Sequence, residues 1–167
     1  GGSVLFYVMQ RPTKTVRQLV EFLQQQDFPS VLFTRKRMPG TFTLDTAMME
    51  SPDPPDVVLS MRWSTNASRI GVPGVFASDG RRPGEGSHAS LSRFDVHNIL
   101  VGAGPDLKQG FENPLPTGNT DLAPTILWVL GVKPKKAMDG RVLSEALTIE
   151  APEVGKPTTR RLEATRD

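Results

Sequence analysis

Two β-like runs flanking one helical repeat constrain this chain more than any other feature. Residues 3–9, SVLFYVM, are apolar and β-rich, and after the break at Arg11-Pro12 the residues Val16, Leu19, Val20 and Leu23 fall at i, i+3, i+4, i+7. That reads as a strand feeding a helix, with Thr13 or Thr15 as the expected cap. Asp27 through Pro29 ends the helical pattern, and residues 30–34, SVLFT, give a second β-like run. The local grammar is β-α-β, which predicts an α/β class. Residues 40–56, GTFTLDTAMMESPDPPD, are turn-rich and are expected to cover the surface, after which residues 57–63 form a third strand candidate.

Further along, periodicity is lost. From 64 to 93 Gly, Pro, Ser and Arg dominate, and the segment reads as one long irregular loop, either linker or functional. Residues 98–103 then form a buried-strand candidate, followed by a turn at Gly104-Pro105-Asp106. TDLAPTILWVLG is a well-signalled helix, with Asp121 as N-cap, Pro124 in the first turn and Gly131 at C′. A second short helix is expected over 141–147. After Ile149 the chain turns polar and reads as a mobile tail or an arm that crosses onto structure outside the sequence. The expected organisation is one domain over 1–149, with the irregular loop 64–93 inside it, and a polar tail over 150–167. Because the chain opens directly on a strand-like run, the sequence is expected to be cut from a longer one.

Charge narrows the partners. Twenty Lys and Arg against eighteen Asp and Glu leave a net charge of +2, which gives nucleic-acid binding no support. The clusters Arg35-Lys36-Arg37, Arg81-Arg82 and the lysines of 133–136 read as solvated turns that can still attract an anionic substrate. With no cysteine, disulfides, thiolate zinc sites and cysteine nucleophiles are excluded, and any metal must be held by His and carboxylates. No apolar run approaches the ~18–20 residues that span a bilayer, so no membrane span is expected.

Both histidines lie in GSHASLSRFDVHN, residues 86–98. The glycine-bracketed context of His88 lets an imidazole reach inward to a metal or a phosphoryl oxygen, whereas the plain reading is a surface loop histidine. Residue chemistry alone favours the plain reading there, and also at His97. A Ser87, His88, Asp95 triad is a poor fit, since adjacent Ser and His point apart and no G-x-S-x-G elbow is present. GAGPDLKQG fails the dinucleotide fingerprint, and NAS at 66–68 is a glycosylation sequon of a length that arises by chance. Nothing in the spacing of Asp79, Asp95 and Asp106 makes a preformed cation site.

Read together, GSHASLSRFDVHNILVGAGPDLKQG and TGNTDLAPTILWVLGVKPKKAMDGRVLSEAL resemble the C-terminal part of the type I phosphodiesterase/nucleotide pyrophosphatase family, in the alkaline phosphatase superfamily. Family members carry a G-x-H-G element whose histidine ligates one of two zinc ions, then a strand ending in A-G-P, an N-x-D-[LI]-A-P-T helix and an M-D-G-R turn. Gly86-Ser87-His88, Gly104-Pro105, residues 119–125 and residues 138–141 match in that order, and the resemblance covers roughly residues 84–147, with weaker similarity back to Ser3. One departure is Ala89, where the family usually has glycine.

The resemblance implies part of an alkaline-phosphatase-like three-layer α/β/α fold with a central mixed sheet, and His88 as a zinc ligand. It also implies a segment TDLAPTILWVLG whose Leu122, Ile126, Leu127, Val129 and Leu130 pack against that sheet. Catalysis in the family needs a Thr or Ser nucleophile and further Asp and His ligands N-terminal to the final histidine, and no such elements occur here. Two zinc ions require several N and O donors converging at ~2 Å, which two histidines do not supply. The chain alone is therefore expected to lack the catalytic residues, with function belonging to the whole polypeptide. That function is zinc-dependent hydrolysis of phosphate esters or nucleotides, with Arg62 or Arg81 as candidates to face the substrate phosphate. Alternatives are a sulfatase- or phosphonate-hydrolase-like member of the superfamily, or a non-catalytic binding or assembly remnant. The resemblance points to a periplasmic or extracellular location.

Overall fold

The computed structural model describes all residues except Glu50, Asp79, Arg81, Pro83, Gly84, Ser87, Arg166 and Asp167. The chain is mixed α/β with few helices, and it divides into two compact units, residues 1–99 with 162–167, and residues 100–161.

The first unit realises the β-α-β grammar with an insertion. Strand β1 (Ser3–Phe6), helix α1 (Thr13–Leu23) and strand β2 (Pro29–Thr34) follow in order, then β3 (Phe42–Thr43) and β4 (Val57–Met61). The four-stranded sheet has the order β1-β4-β2-β3. β4 is antiparallel to both β1 and β2, so those two strands run parallel with β4 wedged between them. β3 pairs parallel to the end of β2.

Position in the sheet follows from composition. VVLSM is buried at every residue, as a central strand with both faces covered must be. Its alternate residues Val57, Leu59 and Met61 join Leu32 and the Val16, Val20, Leu23 stripe of α1 in one cluster. Val58 turns to the other face and packs with Phe33 and Leu44.

Several boundaries differ from those expected. Thr13 and Thr15 lie inside α1, and the N-cap is Pro12, which offers no side-chain acceptor. The fixed φ of proline suits a helix entry without a polar cap. The turn-rich stretch 40–56 contributes β3 and a 3-10 turn, Leu44–Ala47, whose Leu44 is core. The third strand breaks at Arg62, and within the expected loop 64–93 lies an antiparallel hairpin, β5 (Trp63–Ala67) with β6 (Pro73–Phe76). Its burial is slight, so it leaves little hydrophobic alternation in the sequence. A one-turn helix, α2 (Arg93–Val96), follows.

The buried strand expected at 98–103 does not form. Ile99 is 92% exposed and Val101 83%. A β-rich run becomes a strand only where a sheet edge accepts its backbone bonds, and this one pairs with no strand among the described residues.

In the second unit a 3-10 turn, Asn119–Asp121, leads into α3 (Leu122–Val129). The C-terminus is as expected. Gly131 adopts φ +66, its N–H donates to Trp128 O at 3.0 Å, and Val132 N–H donates to Leu127 O at 2.8 Å, which together form a Schellman motif. Asp121 stands at the N-cap of α3 as expected, but it makes no side-chain capping bond to that helix; its backbone is already helical, and its carboxylate reaches back to Gly118 N–H, which precedes the 3-10 turn. The short helix expected over 141–147 reduces to a 3-10 turn, Ser144–Ala146. The polar tail forms no helix or strand among its described residues, though Thr165 O accepts from Gly40 N–H at 2.6 Å.

Leu59, fully buried on the central strand, is the keystone of the larger cluster. Leu59→Ala is expected to cost about 2–5 kcal/mol, read as a shift of the urea midpoint of the first unit.

Candidate functional site

His88 is positioned by its backbone. Gly2 N–H donates to His88 O at 2.8 Å, and Gly2 O accepts from Met61 N–H at 2.8 Å. The histidine segment is thereby tied to the sheet where β1 begins and β4 ends, at the amino ends of the parallel pair β1 and β2. Two residues on, buried Ser90 donates its hydroxyl to the Asp95 carboxylate and accepts from Ser92 N–H at 3.0 Å. Ser92 in turn caps α2, its hydroxyl accepting from Phe94 N–H at 3.3 Å. Phe94 meets Trp63 edge-on at 6.2 Å between centroids, which anchors α2 to β5.

Ala89 is the unusual residue in this segment. Its φ is +62, the left-handed region that glycine enters freely and alanine enters at a cost of about 1–2 kcal/mol. The side chain of His88 is exposed.

The other sequence candidates do not gather around it. Ser87, Asp79 and Arg81 lie outside the described residues. Asp95 is committed to Ser90, which removes it from a triad with His88. His97 is exposed at the end of α2, and Arg62 is exposed, its N–H donating to Phe28 O at 2.7 Å and its carbonyl accepting from Ala77 N–H at 2.8 Å. Asp106 belongs to the second unit, where its carbonyl accepts from Thr148 N–H. Among the described residues no three His, Asp or Glu side chains are placed to hold a metal ion. One imidazole does not hold zinc by itself, so these residues alone do not make a zinc site.

The motifs of the second unit have a structural role that sequence reasoning did not assign. The Asp121 carboxylate accepts from Gly118 N–H at 2.9 Å with one oxygen and from Arg141 N–H at 2.8 Å with the other. Thr125 donates its hydroxyl to Asp121 O at 2.6 Å and accepts from Leu143 N–H at 2.9 Å. A Cβ on Gly140 would run into the Thr120 carbonyl, so only glycine passes there. The N-x-D-L-A-P-T and M-D-G-R matches are thus two halves of one clasp. Arg141 closes it with a two-pronged bond to Glu145, at 2.7 and 2.8 Å, and this guanidinium holds the Glu145 carboxyl down to about 2. The Asn113 amide adds a third bond to the same carboxylate.

Comparison of the chain with family models, curated proteins and solved structures finds no match in any of the three.

Two outcomes are expected. Ala89→Gly relieves the left-handed strain and raises stability by about 1 kcal/mol, measured by urea unfolding; a loss of stability would contradict the geometry. Glu145 titrates lower when folded than its ordinary 4.5, so the pair's contribution is full above pH 4.5 and is lost as pH falls toward 2. Amide exchange at Arg141 and Leu143 is expected to quicken over that interval, and Glu145→Gln to flatten the dependence.

Proposed function

We propose that this chain is the C-terminal segment of a zinc-dependent phosphodiesterase or nucleotide pyrophosphatase, built on an alkaline-phosphatase-like three-layer α/β/α fold, with His88 as one metal ligand. The observation that carries the reading is Ala89. The family motif places glycine after the ligating histidine, and this chain holds Ala89 at φ +62, a region that glycine enters freely and alanine does not. A non-glycine residue holds a left-handed conformation only where its surroundings impose it. Here the Gly2 bond to His88 on one side and the buried Ser90 on the other fix the turn.

The second unit supports the segment reading. Its buried residues are only Asp121, Pro124, Leu143 and Leu147, while Ile126 is 57% and Leu130 67% exposed on α3. The resemblance expects this helix to lie on a sheet, and its apolar residues await such a surface.

On this reading His88 contributes a neutral imidazole, the remaining ligands and the nucleophile come from the rest of the polypeptide, and the substrate is a phosphate ester or nucleotide. The full-length protein then works in the periplasm or outside the cell, as the resemblance implies.

The test uses the full-length protein. His88→Ala is expected to lower bound zinc and to reduce hydrolysis of bis(4-nitrophenyl) phosphate by at least about 100-fold. Unchanged metal content and rate would reject His88 as a ligand. A 4-nitrophenyl sulfate activity exceeding that on the phosphodiester would move the protein to the sulfate-ester branch of the superfamily. The isolated chain is expected to show negligible turnover, and zinc-dependent hydrolysis by it would overturn the segment reading.

A further inference from the structure

At the opposite end of the strands from His88 lies a cavity of ≈ 130 Å³ lined by Arg11, Thr13, Val16, Arg35, Lys36, Met38 and Asp56. Its position is set by Asp56, whose backbone extends the ladder one step beyond β4. Asp56 N–H donates to Phe6 O at 2.9 Å, and its carbonyl accepts from Arg35 N–H at 3.1 Å. The cavity therefore opens at the carboxyl ends of the parallel strands β1 and β2, beside the first turn of α1. The chain leaving β1 there turns into α1, so the first amides of a helix face the crevice.

Three cations, Arg11, Arg35 and Lys36, line the cavity against one carboxylate, Asp56. The Asp56 carboxylate is buried and occupied, accepting from Val8 N–H at 2.8 Å and lying 3.7 Å from Arg11 Nε. Arg11 is also paired with Asp53. Arg35 and Lys36 have no such compensation, since no ion pair or hydrogen bond holds either side chain among the described residues. Their charges stand at the amino end of α1, which is itself electropositive. That helix has no side-chain cap and no acidic residue in its first turn. Thr15 and Val16 N–H both turn to Pro12 O, leaving the amides of Thr13 and Lys14 without a protein acceptor. Helix starts ordinarily gather carboxylates or hydroxyl caps, and here cations gather instead. The loop that delivers Arg11 is held in a costly form as well, with Gln10 at φ +57 and Arg11 at φ +51.

We propose that this cavity binds a phosphoryl group, a tetrahedral dianion whose oxygens are met by Arg35, Lys36, the Thr13 hydroxyl and the free amides of Thr13 and Lys14. A phosphoryl anion offsets the excess of cations, and its several oxygens use a spread of donors that a single halide would leave unmet. The site is independent of the zinc reading, because it lies on the far end of the sheet and uses none of the residues around His88.

The test is a titration of the full chain with inorganic phosphate at constant ionic strength, followed by amide chemical shifts. The Thr13 and Lys14 amides are expected to move saturably, and Arg35→Gln with Lys36→Gln to weaken binding at least about tenfold. Both side chains are exposed, so the double variant is expected to keep its thermal midpoint. Arg37→Gln is the control, since Arg37 does not line the cavity, and it is expected to retain affinity within about twofold. Absence of saturable shifts at Thr13 and Lys14 would overturn the site, as would equal weakening by Arg37→Gln, which would mark general attraction to a basic turn. Competition by methyl phosphate at similar affinity would assign the site to the terminal phosphoryl group of an ester. Exclusion of methyl phosphate, with inorganic phosphate still bound, would assign it to the free ion; both results uphold phosphoryl recognition.

Discussion

Burial of β4 between two parallel strands is the constraint on which the first unit depends. A strand with neighbours on both edges and apolar cover on both faces satisfies its backbone while burying its side chains, and VVLSM has the composition to do so apart from Ser60, whose buried hydroxyl meets no partner among the described residues. The two ends of this strand then become the two places where chemistry can sit. At its carboxyl end Met61 reaches Gly2, and Gly2 reaches His88. At its amino end Asp56 reaches Phe6, Arg35 and Val8, and the cationic cavity opens above them. Loss of β4 would disperse both.

The elements that were legible in the sequence are those whose signal is local. α1 shows because its buried residues recur at helical spacing, and the exit of α3 shows because a left-handed glycine after an apolar run is a property of the turn itself. β1, β2 and β4 show as apolar runs, with ends misplaced by a residue or a few. Strand formation is a property of pairs, and the failures follow from that. Residues 98–103 have strand composition and no strand beside them, whereas β5 and β6 are polar and half exposed yet pair with each other.

The candidate sites divide in the same way. His88 was found from its motif, and the motif also flagged Ala89, but the left-handed backbone that gives the alanine meaning is visible only in three dimensions. The cavity escaped because it assembles residues 11, 13, 35, 36 and 56 from three separate connections. In sequence, Arg35-Lys36-Arg37 is indistinguishable from an ordinary solvated turn. What distinguishes it is the uncapped helix start it faces, which belongs to another part of the chain.

The second unit shows how a short segment can be ordered without a core of its own. Only Asp121, Pro124, Leu143 and Leu147 of this unit are buried. Net hydrogen-bond contributions of about 0.5–1.5 kcal/mol apiece make the Asp121, Thr125, Arg141 and Glu145 clasp a means of fixing geometry more than a source of stability. A segment whose polar groups are tightly matched while Leu122, Ile126 and Leu130 face outward is organised to present an apolar surface. The proposed parent fold gives that surface its purpose: the clasp sets the orientation of α3, and the sheet it would meet supplies the burial that this unit lacks.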